Sequence, residues 1–166
     1  MMYHPVPDPH LTAIGDITVS YALLEDQVKT LIAALMQDTQ RVSQIITGGL
    51  SYKNIKALAV SMYIHRLGEK SAGFIELKGL LKRSQDLEDE RNGITHSVWV
   101  SGPDSETVTR RKIVVREPGG FKFQRKDYTA KDLTDVAIAI RRLADDIRLF
   151  LERHWEDGSM KPISIG

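Results

Sequence analysis

Along the first part of the chain, apolar residues recur at alternating intervals of three and four: Ile14, Ile17, Tyr21, Leu24, Val28, Leu31 and Leu35. An α-helix, turning about 100° per residue, brings such a series onto one narrow stripe. A stripe this long is the seam of a helix packed at a shallow angle against others in a bundle. The same alternation returns near the other end in Leu133, Val136, Ile140, Leu143, Ile147, Phe150 and His154. Two long helices that must each bury a stripe direct the chain toward a helical core.

The segments between these seams complete the pattern. Asp8-Pro9 reads as an N-cap followed by Pro at the first helical position. A short helical piece around Arg41 to Ile46 ends at Thr47-Gly48-Gly49. A second helix, from about Tyr52 to Arg66, places Ile55, Ala59 and Met62 on one face and closes at Gly68. Ser71 starts a third helix with the seam Leu77, Leu80, Ser84, Leu87, Arg91, Ile94 and Val98. Gly102-Pro103 breaks the helical pattern, after which Thr107 to Arg116 and Phe121 to Asp127 alternate around Pro118-Gly119-Gly120 as a β-hairpin. In that hairpin Ile113, Val115, Phe121 and Phe123 share one face, with the two phenylalanines expected as core contacts. Arg110, Lys112, Arg116, Lys122, Gln124 and Lys126 share the other. Thr129 with Asp132 three residues on resembles a capping box for the final helix. The expected fold is mainly α, with four principal helices and a hairpin at about 107–127 inserted between the third and fourth. Residues 1–8 form an N-terminal arm, 9–155 the domain and 156–166 a flexible C-terminal tail.

Composition narrows the chemistry. The 166 residues are the size of one domain, and 42% hydrophobic with 27% charged residues is ordinary for a globular chain. The absence of cysteine excludes disulfides, zinc ribbons and thiol catalysis. The Pro-rich start lacks the apolar core of a signal peptide, and no run of apolar residues is long enough to span a membrane, so a cytoplasmic protein is expected. Asp86, Glu88, Asp89 and Glu90 spread around a helix surface, His4, His10 and His65 have no zinc-ligand spacing, and no Glu-x-x-His pair occurs. A Gly-rich phosphate loop and a serine nucleophile elbow are also absent, so neither metal nor cofactor is expected. Charge is uneven. Val108 to Lys131 holds eight basic and two acidic residues, a net +6 that leaves −5 for the rest of a chain whose total is +1.

Near the end of the third helix stands Glu90-Arg91-Asn92-Gly93-Ile94-Thr95-His96. Arg91 is a permanent cation that can hold a phosphate oxygen, and His96 supplies an imidazole, the side chain most often used to take or give a proton. Together they are the parts needed to cleave RNA without a metal. The Arg, the polar Asn92 after it and the His at the end of a bundle helix resemble the R-x(4–6)-H motif of the HEPN superfamily of small helical ribonucleases. The resemblance covers roughly residues 9–155. It implies an up-and-down four-helix bundle with the motif on its third helix, acting as a homodimer whose two motifs face one groove. It also implies in-line attack by a ribose 2′-hydroxyl leaving a 2′,3′-cyclic phosphate, in a toxin–antitoxin or phage-defence setting with an antitoxin or regulatory protein as a further partner. In that mechanism His96 acts as general base or acid, Arg91 stabilises charge on the phosphorane oxygens, and Asn92 orients the phosphate or the imidazole. Some members of the superfamily carry a Tyr two residues beyond the His; here that position is Val98.

Geometry adds a condition of its own. On a straight helix Arg91 and His96 point about 140° apart. Either Gly93 loosens the helix, or two chains each supply part of a shared cleft. A second RNA-binding constellation is the basic hairpin face, Arg110, Lys112, Arg116, Lys122 and Lys126, which can follow a phosphate backbone. Arg148 and His154 also satisfy the loose spacing, but Leu149 follows that Arg, and the pair lies in the last amphipathic helix. Two alternatives belong to other classes. One is a noncatalytic dimeric RNA- or nucleotide-binding or scaffold bundle. The other is a helix-turn-helix DNA-binding protein offering Lys53, Asn54 and Lys56 to bases.

Overall fold

Six of the seven residues of the first apolar stripe are buried in the computed structural model of the protein, which describes residues 5–36, 40–116 and 120–156. They lie on α1, Asp8–Met36. It is followed by α2 (Gln40–Thr47), α3 (Tyr52–Leu67), α4 (Ala72–Thr95), β1 (Val98–Ser101), β2 (Thr107–Arg116), β3 (Gly120–Thr129) and α5 (Ala130–Glu156). The described residues are mainly α, with five helices and a three-stranded antiparallel sheet, in the order β1-β2-β3, between α4 and α5.

Two of the expected element boundaries are corrected. The piece around Arg41 to Ile46 is a helix in its own right, so the sheet follows the fourth helix rather than the third. Val98, expected as the last residue of a helical seam, instead opens β1 and is exposed. The sequence Val98-Trp99-Val100 is β-branched and aromatic, and it lies beyond the point where the α4 carbonyls are closed off, so it pairs with β2. The Pro118-Gly119 part of the hairpin turn and the tail 157–166 lie outside the described residues. No described helix is long and apolar enough to cross a membrane.

The chain divides into two compact units, Met1–Tyr21 with Asp86–Ile140, and Ala22–Gln85 with Arg141–Gly166. In the second unit Leu24, Leu31, Ile55, Tyr63, Leu77, Ile147 and Phe150 are fully buried in the core. The Tyr63 ring stacks on Phe74 at 6.0 Å and meets His154 edge-on at 6.2 Å. Ser51 caps α3 by accepting a hydrogen bond from the Asn54 N–H.

In the first unit the start of α5 is the expected capping box. The Thr129 N–H and hydroxyl both donate to Asp132 Oδ2, at 2.8 and 2.7 Å, and the Asp132 N–H donates back to Thr129 Oγ1 at 3.1 Å. These bonds hold the Asp132 carboxyl below its ordinary pKa. The turn from β1 to β2 is tight enough that Gly102 donates its N–H to the Thr107 carbonyl at 3.1 Å, and a Cβ at Gly102 would strike that backbone. Buried His10 reaches the same turn through Nε2, which donates to the Glu106 carbonyl at 3.2 Å.

Register fixes the two faces of the sheet, because directly opposed residues point the same way. Val108 opposes Tyr128, Arg110 opposes both Trp99 and Lys126, and Lys112 opposes Gln124. On the reverse, Arg111 opposes Val98 and Arg125, Ile113 opposes Phe123, and Val115 opposes Phe121. The division into faces is therefore as expected, but the expectation of which face enters the core is corrected. Val108 and Tyr128 are 0% and 2% exposed, whereas Ile113, Phe121 and Phe123 are 59%, 66% and 52% exposed. The inward face is apolar near β1 and basic toward the tip, so the core is built from its root.

Candidate functional site

Four consecutive carbonyls at the end of α4 each find a donor. Thr95 Oγ1 donates to Arg91 O at 3.0 Å, the His96 N–H to Asn92 O at 3.2 Å, Ser97 Oγ to Gly93 O at 2.6 Å and Trp99 Nε1 to Ile94 O at 3.0 Å. A helix end satisfied in this way needs no further turn, and the indole, drawn back onto the helix, starts β1. Trp99 also meets Tyr128 edge-on at 5.6 Å. His96 thus stands exposed at the corner between helix and strand, with no hydrogen-bond or ionic partner for its ring among the described residues.

Arg91 is half-buried. Its guanidinium lies over the Tyr21 ring, 4.6 Å from the centroid, and Nη1 donates to Asn92 Oδ1 at 2.8 Å. Its Nε is buried without a hydrogen-bond partner, and no carboxylate pairs with Arg91 among the described residues. Arg91 and Asn92 are therefore brought together. The helix is continuous through Gly93 to Thr95, so it is not loosened there, and helical geometry sets Arg91 and His96 about 140° apart around its axis.

Gly93 serves another purpose. A Cβ at this position would collide with Nη1 of Arg110, whose guanidinium lies against the α4 backbone there. Beside it is a polar anchor that sequence reasoning treated as surface charge. Glu90 accepts hydrogen bonds from the Tyr128 hydroxyl at 2.7 Å and from Lys126 at 3.0 Å. Burial by itself would raise the Glu90 carboxyl, but the two hydrogen bonds and the charges of Lys126 and Arg110 outweigh it and hold the pKa below its ordinary value. Burial and the bond to Glu90 push the Tyr128 phenol up. No local signal reveals this anchor, since 38 residues separate Glu90 from Tyr128.

The five cations expected to meet RNA therefore differ in position. Arg110 and Lys126 are engaged at the root of the sheet, and Lys126 also lies over the Tyr128 ring at 4.5 Å. Lys112 and Lys122 lie further toward the tip without ionic partners among the described residues, and the Arg116 side chain lies outside those residues. An apolar cleft of about 350 Å³, lined by Val6, Leu11, Ile14, Thr18, Ile94 and Trp99 among others, adjoins the end of α4. Among the described residues no group of three or more His, Asp or Glu gathers as metal ligands.

In the second unit, Arg148 is held between Asp145 and Glu152, at 3.7 and 2.6 Å, and His154 packs on Phe150 at 4.4 Å. Of the three residues that a recognition helix would offer to DNA, Lys53 and Asn54 are exposed, while Lys56 is buried, bonded to Gln85 and set over Tyr52. No protein-family model, curated protein or solved structure matches the chain.

Proposed function

We propose that the end of α4 is the phosphodiester-handling site of a metal-independent endoribonuclease of the HEPN kind, acting as a cytoplasmic homodimer. The observation that carries this reading is the state of Arg91: a partly desolvated cation, oriented by Asn92 and Tyr21, with no carboxylate to neutralise it among the described residues. Such a guanidinium favours an anionic oxygen, and holding it in place in advance avoids reorganisation as charge develops on a phosphorane. His96, exposed five residues later, is free to exchange a proton with a ribose 2′-hydroxyl or with the leaving 5′-oxygen. Asn92 acts on the guanidinium, which makes it a positioning residue.

Because one α4 aims the two groups apart, a productive site is composite, with Arg91 of one chain and His96 of another meeting one phosphate. The test is RNA cleavage by the full chain in EDTA, with product ends examined for 2′,3′-cyclic phosphate, alongside sedimentation to determine the association state. Cleavage by a His96→Ala protein at the rate of the unmodified chain overturns the catalytic role, and a strictly monomeric active protein overturns the composite site.

A further inference from the structure

The outward face of the sheet presents aromatic rings and cations together. Phe121 and Phe123 lie two residues apart on β3, about 7 Å along the strand, with their rings edge-to-face at 5.4 Å and both largely exposed. Next to them on the same face are Ile113, Arg111 and Arg125. Arg111 and Arg125 oppose each other across β2 and β3 and line a cleft of about 370 Å³ with Val100, Pro103, Thr109 and Asp127 among others. No carboxylate pairs with Arg111 or Arg125 among the described residues.

We propose that this outward face binds single-stranded RNA, with bases stacked on Phe121 and Phe123 and the backbone phosphates held by Arg111 and Arg125. It rests on the reading that the chain handles RNA, and it assigns the contact to the face opposite Arg110 and Lys126, which are occupied with Glu90 and Tyr128. Charge selects this occupant. The face carries Arg111 and Arg125 against Asp127, within a segment of net +6, so a second copy laid face to face brings the same charges and is repelled, whereas a polyanion is attracted. Exposed rings on a sheet surface give unpaired bases a stacking platform that a duplex, with its bases already stacked, cannot use.

The test uses the full chain and a short fluorescent 2′-O-methyl oligouridylate, which lacks the attacking hydroxyl and is bound without being cut. A duplex of equal length serves as the comparison. The expected results are tighter binding of the single strand, a loss of roughly tenfold or more in the Phe121→Leu/Phe123→Leu protein, and retention when both are replaced by Trp. Arg111→Gln with Arg125→Gln lowers the dependence of log affinity on log salt by about 1.4, at about 0.7 per phosphate contact on a single strand. Equal affinity of the Leu variant and the unmodified chain overturns the proposal. So does a Leu variant that changes only the association state, which marks the face as a contact between copies. Binding that persists in a chain with no ribonuclease activity sinks the catalytic reading and leaves this surface standing. Cleavage and affinity both unchanged in the Leu variant sink this surface and leave the catalytic reading.

Discussion

The chain contains two Arg–His pairs at similar spacing, and their surroundings differ in kind. Arg148 is neutralised by Asp145 and Glu152, and His154 is wedged against Phe150 and Tyr63, where Gly73 leaves no room for so much as a Cβ between them. Arg91 has an aromatic seat and an amide partner but no counter-charge among the described residues, and His96 projects into solvent. Spacing in the sequence is thus the weaker discriminator. A pair whose charge is balanced and whose ring is packed is already used by the fold, while a positioned cation without an anion is available to a ligand.

The largest effect that can break this comparison is catalytic. His96→Ala is expected to lower RNA cleavage by roughly 10²–10⁴-fold, the range of a positioned general acid or base. Arg91→Ala falls by about 10²–10³-fold, as for loss of one preorganised donor. Arg148→Ala stays within about twofold, because its ion pairs are exposed surface pairs of little consequence. Initial rates on one RNA substrate decide all three, and equal losses at Arg91 and Arg148 would erase the distinction.

A smaller effect runs the other way. His154→Ala removes ring contacts inside the second unit and is expected to cost about 1–2 kcal/mol, read as a fall in Tm of a few degrees with cleavage preserved. His96→Ala, at an exposed corner, is expected to change stability by no more than about 0.5 kcal/mol. The pairing of results sharpens the contrast: one histidine matters to folding and the other to chemistry.

The helical seams could be read from periodicity because each helix buries one stripe: six of the seven seam residues of α1 and five of the seven of α5 are buried. The capping box of α5 could be read because its partners are three residues apart. Alternation likewise assigned the hairpin residues to two faces. It could not tell which face turns inward, since a ribbon alternates equally on both sides and the choice depends on α4, where Glu90, Gly93 and Ile94 receive Lys126, Arg110 and Trp99. Val98 was misassigned for a related reason: it continues the i, i+4 series from Ile94, and the helix is stopped by side-chain donors that periodicity does not register. Of the candidate site, the residue types were visible, but the Tyr21 seat and the Glu90 anchor depend on long-range contacts.

The mildest test concerns that anchor. Glu90→Gln keeps an acceptor for the Tyr128 hydroxyl but leaves Lys126 without its anionic partner, and because the pair is partly exposed the expected cost is about 1 kcal/mol. The pH dependence gives it a signature. The folded-state pKa of Glu90 lies below its unfolded value, so the folded protein binds fewer protons there. The stabilisation is fully present above the ordinary carboxylate range and is lost as pH falls through the folded value. In urea melts, the difference between the unmodified chain and Glu90→Gln should therefore be constant near neutrality and shrink in acid. A difference independent of pH would show that Glu90 contributes packing rather than charge.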